Sequence, residues 1–435
     1  MLPKMPRGFP LPGLLGFLAD QPGIGSEIHQ SFYRVTWNGA APAERVTLVL
    51  KALWWPLFVL GGACFFTARN GLIVAKRTGK PVWKQFAEQM YLGFGRAIEP
   101  RVYYAFELYY RRNRRRVSGY LQRYETKDAL YRYLKSAWRI PATPANNKLE
   151  FEEYLLKHQL PTVRTVAAFT KGQRIDATDP LVLPEEDLFM KPRNGRGGEK
   201  CMRYRFVRTG WQAVNRQKVM SASELIAHVR SASRKRPYML QRCYQVHRDL
   251  ADLAVNTLAT VRVVSVTDTK NDVQALYAAF RMPRGQNDVV DNFHAGGIAA
   301  SVDIATGKLG AATNLGNSQA FGWVNRHPAS GAPIRGRILP YWQEVVALAR
   351  HAHAQAFRDR IILGWDIAIT DDGPIIVEGN AAPDLDIIQR VCRVPLGNDR
   401  FGELLLDHIR AAELQGRPAA LTAEIASKEQ TALIQ

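Results

Sequence analysis

The sequence predicts a mixed α+β protein with antiparallel strands, preceded by a mainly helical region. Helix-like and strand-like patterns alternate after about residue 145, which is typical of this class. A β-hairpin signature follows near the C-terminus, whereas the first 140 residues are rich in Trp, Tyr, Phe and Arg. We therefore expect a helical region over 1–144, the main α+β domain over 145–405, and a C-terminal helix and tail over 406–435.

The most apolar part of the N-terminal region is the segment 52–68, which holds seventeen residues without a charge between Lys51 and Arg69. A helix needs roughly 17–25 residues to cross a bilayer, so this length is at the lower limit. Pro56 and a Gly-Gly pair also weaken the segment as a regular helix. Two explanations stay open: an interfacial or re-entrant membrane anchor, and a buried helical hairpin of a soluble domain.

An arginine cluster at 111–116 follows an aromatic stretch, Tyr103 to Tyr110, that we predict to be helical. Five arginines in six residues would bind a phosphate-rich surface, such as an anionic membrane, although a solvated helix face is the usual alternative. The net charge of +20 also favours an anionic partner. We expect no nucleic-acid partner, because no recognition module accompanies the cluster.

The cysteines and the N-terminus bear on the location of the protein. Four cysteines lie far apart without a CxxC pair, which is typical of reduced thiols in a cytoplasmic protein. The proline-rich N-terminus lacks a clean apolar core and a small-residue cleavage site, so we predict no secretory signal. We expect a cytoplasmic protein that is peripheral to the inner face of the membrane if the segment 52–68 is an anchor.

Beyond a linker at 141–147, periodicity and turn residues predict the elements of the main domain one after another. The predicted helices are 149–158, 223–230 and 340–359, and the predicted strands are 188–191, 238–241, 260–267 and 273–281, before the hairpin.

The hairpin is the most informative feature of the chain. Two apolar, alternating runs flank an Asp-Asp-Gly turn at 371–373. Asp366 lies on the first run, and Glu378 and Asn380 lie two apart on the second, so their side chains share a face. Carboxylate and amide oxygens suit Mg²⁺, which binds carboxylates together with nucleotide phosphates. A polar hairpin with acidic turns is the alternative for these residues taken alone.

A glycine-rich loop at 193–200 follows a predicted strand that ends near Lys191. Glycines allow a backbone to approach an anion closely and to present N–H groups to phosphates. The loop matches neither the P-loop nor the dinucleotide-binding pattern. Taken alone, such a loop is more commonly a β-turn.

The order of these features resembles that of the ATP-grasp superfamily. The order is Lys148 in its helix, then Gln159 to Thr162, then Lys191 with its glycine loop, then the hairpin. The segments 256–265, 291–298 and 364–380 resemble, more narrowly, the sugar-transfer-associated ATP-grasp family, which is related to alpha-L-glutamate ligases. The resemblance covers about 145–400. It implies an ATP-grasp fold, in which two α+β subdomains sandwich ATP.

The resemblance also implies a set of site residues. Lys148 and Lys191 would hold the α- and β-phosphates, the loop glycines would cover them, and Asp249 or His247 would bind the ribose. The full nucleotide-binding set is Lys148, Lys191, Gly195, Gly197, Gly198, Gln241, Arg242, Cys243, Tyr244 and Asp249. The catalytic set is Arg262, Asn292 and His294, and the metal set, for Mg²⁺ or Mn²⁺, is Asp366, Glu378 and Asn380. Arg262 lies on a predicted strand, so it could instead pair with a structural carboxylate.

From this resemblance we expect an ADP-forming ligase that joins a carboxylate to an amine or another nucleophile through an acyl phosphate. Fixed cations and a metal would stabilise the charge that builds up in both steps. The family name suggests a glycan-linked substrate in the biosynthesis of a cell-surface polysaccharide. The alternatives are an ATP-grasp phosphotransferase, and a non-catalytic, membrane-peripheral nucleotide-binding protein of a polysaccharide assembly complex.

Overall fold

The computed structural model describes residues 23–126, 130, 132, 144, 147–193, 200–214, 216–255, 257–285, 293 and 296–414. Within these ranges the chain forms an N-terminal group of helices and two seven-stranded antiparallel sheets. The mixed α+β prediction is therefore confirmed. Most of the predicted linker lies outside the described ranges. Five candidate site residues also lie outside them: Gly195, Gly197, Gly198, Asn292 and His294.

The N-terminal region consists of helices in its described part. They are α1 (Ile24–Asn38), α2 (Pro42–Thr78), α3 (Val82–Arg96), α4 (Pro100–Ala105) and the short α5 (Arg111–Arg114). The predicted helix from Tyr103 to Tyr110 is wrong beyond Ala105. Glu107 has a φ of 53°, in the left-handed region, which a continuing right-handed helix does not permit.

The first sheet has the strand order β2-β1-β7-β3-β4-β5-β6. Helix α6 (Lys148–Lys157) precedes it, and helix α7 (Ala222–Ser233) packs on its strands. The strands are β1 (Thr165–Thr170), β2 (Gln173–Arg174), β3 (Leu188–Pro192), β4 (Met202–Val207), β5 (Gly210–Ala213), β6 (Val219–Met220) and β7 (Tyr238–Arg242).

The second sheet has the strand order β12-β11-β10-β9-β8-β13-β14. Its strands are β8 (Thr260–Thr267), β9 (Val273–Met282), β10 (Ile298–Val302), β11 (Leu309–Thr313), β12 (Trp323–Val324), β13 (Ile362–Thr370) and β14 (Gly373–Asn380). The accompanying helices are α8 (Ala251–Ala254), α9 (Trp342–Ala356), α10 (Leu385–Cys392) and α11 (Arg400–Leu414). Helix α11 begins six residues before the predicted domain boundary at 406.

The second sheet has a hydrophobic core on each face, because its strands alternate between the two sides. On one face, Val261 and Val263 pack in the same cluster as α9. On the other face, Val264 and Val266 share a cluster with α1, α10 and α11. The N-terminal region is therefore part of the core of the second sheet and not a separate appendage.

A buried polar contact also joins the N-terminal region to the second sheet. Glu107 accepts a hydrogen bond from the indole N–H of Trp323 at 2.7 Å and pairs with Arg390 at 3.6 Å and Arg393 at 3.1 Å. Arg390 is almost fully buried and also donates to the backbone oxygen of Ala105 at 2.8 Å. Each charge is thus compensated by a partner from the other part of the chain.

We predict that Arg390→Met destabilises the whole protein by about 3–5 kcal/mol, because it leaves the buried Glu107 without its most buried partner. Urea unfolding, followed by circular dichroism, measures the change. The control is Arg400→Met, which removes an exposed pair with Glu403 and should cost less than about 1 kcal/mol. Equally small losses in both variants would contradict the proposed role of Arg390.

Candidate active site

The hairpin β13–β14 places the predicted metal residues on one face of the second sheet. Asp366 lies directly opposite Glu378, and Gly364 lies opposite Asn380. The register then shifts by one residue, so that Val377 is an extra residue on β14 and forms a β-bulge. Glu378 and Asn380 thus lie opposite positions of β13 that are themselves two apart, and their role as metal ligands stays a prediction.

Asp366 is held by two arginines from neighbouring strands. Arg262 on β8 lies opposite Asp366, donating from Nε to Oδ1 and from Nη2 to Oδ2, the latter at 3.0 Å. Arg281 on β9 reaches the same Oδ2 at 3.1 Å. Burial alone raises the pKa of Asp366, but the two guanidinium groups outweigh it and hold that pKa below its usual value. Arg262 therefore pairs with a buried carboxylate, as the alternative explanation had it.

Lys191 on β3 is a half-buried cation that lies beside a second one, Lys148. Burial, followed by the charge of Lys148, lowers the pKa of Lys191 to about 8. Glu378 acts in the opposite direction, and its Oε1 lies 3.6 Å from Nζ of Lys148. Burial also raises the pKa of the nearby Cys201 thiol, which Lys191 partly offsets. The described part of the site thus brings two lysines together with the carboxylates of Glu152 and Glu378. The two lysine charges repel each other, which favours the binding of an anion.

A narrow pocket between the two sheets brings these groups together. β3 and β7 contribute residues from the first sheet, β14 contributes residues from the second, and α6 contributes residues from its first turns. The lining residues are Lys148, Phe151, Glu152, Thr162, Val163, Lys191, Gln241, Val377 and Glu378. The structure therefore assembles Lys148, Lys191, Gln241 and Glu378, which are far apart in the sequence, around one cleft.

The predicted nucleotide-binding residues 241–244 begin with a side chain that is already hydrogen-bonded. Gln241 donates to Oγ1 of Thr165 at 3.2 Å, and the backbone N–H of Thr165 donates to Glu152 at 2.6 Å. The next two N–H groups bond within the first sheet: that of Arg242 to the oxygen of Arg164, and that of Cys243 to the oxygen of Asp187. Contacts of Gln241 and residues 242–244 with a nucleotide stay a prediction.

Asp249 lies in a different place from the other candidates. It belongs to a short 3-10 turn, Arg248–Leu250, that packs against the tip of the hairpin at Asp371, where Arg248 pairs with that residue. The side chain of Asp249 is exposed, and Glu378 lies further along β14 from the tip. The proposed contact of Asp249 with a ribose stays a prediction.

Sequence reasoning missed two residues that shape the site. Glu152 lies four residues after Lys148 on α6, so the spacing that puts both on one side of a helix is a usable signal. Arg281 gave no signal, because its approach to Asp366 depends on the pairing of β8 with β9. Register between distant strands is set by tertiary structure, which the sequence around Arg281 does not reveal.

The donor groups fit a metal-bound nucleotide. Lys148 and Lys191 suit phosphates, and the Glu378 carboxylate and Asn380 amide suit a hard cation. Asn380 currently donates from its nitrogen to the oxygen of Gly364 at 3.3 Å. Among the residues that the structure describes, no group of three or more His, Cys, Asp or Glu side chains could hold a metal ion. A metal here would need oxygens from its ligand as well as from the protein.

The sequence comparison identifies the family. Residues 133–396 match the family described as sugar-transfer associated ATP-grasp, which is more than half of the chain. The chain therefore belongs to this family, and the resemblance and the ATP-grasp fold expected from the sequence are confirmed. Among curated proteins, no sequence matches this chain closely enough to count as a relative.

Similar solved structures are distant. They include L-amino acid ligase from Bacillus licheniformis (TM-score 0.34, 12% identity, 61% of this chain and 48% of that one). D-alanyl-alanine synthetase A from Vibrio cholerae has a TM-score of 0.33 and 12% identity, covering 62% of this chain and 65% of that one. D-Alanine-D-Alanine ligase from Helicobacter pylori has a TM-score of 0.33 and 12% identity, covering 61% and 58%. The chain thus matches less than two thirds of the length of each.

We predict that Lys191→Met stabilises the ligand-free protein at pH 7 by about 1–3 kcal/mol, because a half-buried charge beside Lys148 is removed. The wild type should approach the variant as the pH rises. Its Lys191 has a pKa of about 8 when folded and 10.5 when unfolded, so the penalty is complete below pH 8 and is relieved between pH 8 and 10.5.

Urea unfolding at pH 7 and pH 9.5 measures this difference, with Lys200→Met at an exposed position as the control. The interpretation would be wrong if Lys191→Met left the free energy of unfolding unchanged. It would also be wrong if the difference in that free energy between the variant and the wild type were larger at pH 9.5 than at pH 7.

Proposed function

We propose that the protein is an ATP-dependent, ADP-forming ligase that joins a carboxylate to an amine or another nucleophile. The observation that supports this most is the cleft between the two sheets, where Lys148, Lys191 and Glu378 line one pocket. The two lysines suit the phosphates of ATP, and the partly exposed Glu378 carboxylate suits a metal ion bound to those phosphates. Membership in the ATP-grasp family supports the same assignment.

Each residue has a role in this proposal. Lys148 and Lys191 bind the phosphates of ATP, and desolvation around Lys191 strengthens its attraction for them. Glu378 and Asn380 hold the metal, which supplies charge neutralisation at the phosphates when it is bound. Arg262 fixes Asp366 next to Glu378 and adds positive potential on the face where the reacting groups meet.

We propose an acyl-phosphate route. A carboxylate oxygen attacks the γ-phosphorus, ADP leaves, and the amine then displaces phosphate from the acyl carbon while it loses a proton. The carboxylate is already negative and needs no general base, so the positioned cations suffice for the first step. We further propose that the substrate is linked to a glycan, because of the family description. We also propose that the protein is cytoplasmic and binds peripherally to an anionic membrane.

Hydroxylamine tests the reaction type. Wild-type protein is incubated with ATP, Mg²⁺, hydroxylamine and, one at a time, glucuronic acid, galacturonic acid and the common amino acids. We expect ADP, free phosphate and an acyl hydroxamate in equal amounts with at least one carboxylate, because hydroxylamine intercepts an activated acyl group.

Two variants serve as controls in the same assay. Glu378→Gln should lower the rate on the order of 100-fold, the scale found when one charge-stabilising group is removed from an active site. Glu344→Gln, at an exposed position on α9, should leave it unchanged. A stable phosphorylated product with neither free phosphate nor hydroxamate would move the assignment to a phosphotransferase. An absence of ADP with every carboxylate would favour the non-catalytic alternative.

A further inference from the structure

The exposed large apolar side chains are concentrated on two helices. Eighteen such side chains occur in the described part of the chain, and twelve of them lie on α2 and α3. The twelve are Val46, Val49, Leu50, Leu53, Trp54, Leu57, Leu60, Phe65, Leu72, Trp83, Tyr91 and Phe94. Soluble proteins rarely expose a contiguous apolar patch of this kind without a partner for it. We call this surface the α2–α3 face.

Helix α2 is apolar on both sides, but only one side is covered. Its inner side packs on the protein through Trp55, Val59, Ala63, Phe66 and Val74. These positions recur every three or four residues, as one side of a helix requires. Because the inner side is already buried, the outward leucines and tryptophan are extra apolar surface that the fold itself does not use.

Helix α3 continues the surface beside α2. The turn at residues 79–81 joins the two helices, and they pack along their length: Trp55 donates to the oxygen of Gly93 at 2.9 Å. On α3 the outward aromatic side chains are Trp83, Tyr91 and Phe94, which are spaced as one helix side requires. The two antiparallel helices thus both carry outward apolar side chains, which together make up the α2–α3 face.

The charges around the α2–α3 face are mostly positive. Residues 42–96 contain eight Lys or Arg and two Glu. Both glutamates are neutralised, Glu44 by Arg132 and Glu88 by Lys80 and Arg114. The contact of Arg114 with Glu88 also brings the arginine cluster 111–116 next to α3, and its other four arginines are exposed. An anionic surface would complement this pattern.

The C-terminal half of α2 is fixed to the body of the protein. Asn70 accepts from the backbone N–H of Gln319 at 2.8 Å, and Arg77 donates to the oxygen of the same residue at 2.9 Å. A helix with one side held against a protein in this way is not surrounded by lipid. Among the described residues, α2 is the one helix long and apolar enough to cross a bilayer, but these contacts favour an orientation in the membrane plane.

We propose that the α2–α3 face binds a phospholipid bilayer that contains anionic lipids, with both helices lying in the plane of the interface. The apolar side chains enter the acyl boundary, Trp54 and Trp83 lie at the headgroup level, and the flanking lysines and arginines bind phosphates. Association of two copies through this face is disfavoured, because it would bring two strongly positive surfaces together.

This inference specifies the surface for the peripheral attachment in the proposed function, and binding to vesicles does not require turnover of ATP. Its failure and that of the ligase assignment are therefore separable. The test uses the full chain and vesicles of phosphatidylcholine and phosphatidylglycerol at three to one, in low salt, with flotation as the measurement. We expect the wild type to float with these vesicles and to float less with pure phosphatidylcholine.

The decisive variant is Leu53→Glu with Leu57→Glu, at positions that are 71% and 59% exposed. We expect it to lose vesicle binding at least about tenfold, because charges replace inserted side chains. The matched control is Val182→Glu with Ile338→Glu, which are 83% and 62% exposed and lie away from these helices. The control should float as the wild type does, and circular dichroism checks the fold of both.

Three results would overturn the proposal. Equal flotation of the two double variants would remove the α2–α3 face as the contact. A wild type that ignores both kinds of vesicle but forms dimers by light scattering, which Leu53→Glu with Leu57→Glu abolishes, would make the face a contact between copies. Resistance of the membrane-bound protein to alkaline carbonate extraction would show a spanning helix and not an in-plane one.

Discussion

The pairing of Arg262 with Asp366 is the interaction on which the site depends. Both side chains are buried, and they lie opposite each other on the neighbouring strands β8 and β13 of the second sheet. Loss of one partner from such a pair leaves an uncompensated buried charge, which typically costs about 3–5 kcal/mol. The pair therefore favours one register of β8 with β13, and the hairpin register of β13 with β14 places Asp366 opposite Glu378.

The pair of Arg262 with Asp366 also affects which ligands can bind to the side of the hairpin that carries Asp366 and Glu378. With two arginines on its oxygens, Asp366 is largely neutralised. Glu152, the other carboxylate near the lysines, is held by Thr165. Glu378 is the carboxylate that pairs with Lys148, and the charge of Lys148 in turn contributes to the lowered pKa of Lys191. The strain at Lys191 is typical of a site that is built for an anion and is less stable without it.

The sequence predicted the parts of this site that depend on local pattern. The hairpin, the strand ending near Lys191 and the helix that carries Lys148 all form where the periodicity and turn residues placed them. The helix predicted beyond Ala105 was wrong, because Glu107 has a left-handed backbone and its side chain makes a tertiary contact with Trp323 and Arg390. A local helical pattern in the sequence contains no information about contacts with residues that are distant in the chain.

The apolar segment 52–68 is a second case in which the local sequence did not predict the tertiary packing. Composition left an anchor and a buried hairpin open, and the structure contains elements of both: α2 forms a hairpin with α3, yet an apolar side faces outward. Pro56 lies within the helix without ending it. Which side of a helix is covered depends on its neighbours, so the distinction required the packing of α2 against α3 and α4.

Binding of Mn²⁺, measured by electron paramagnetic resonance, tests whether the nucleotide and the protein hold the metal together. Arginines hold Asp366, so Glu378 and Asn380 are the proposed metal ligands that remain among the described residues, and an octahedral ion needs more oxygen ligands than these two provide. We expect stoichiometric Mn²⁺ binding in the presence of a non-hydrolysable ATP analogue and only weak binding without it. Tight Mn²⁺ binding in the absence of nucleotide, or none in its presence, would contradict this role of the nucleotide.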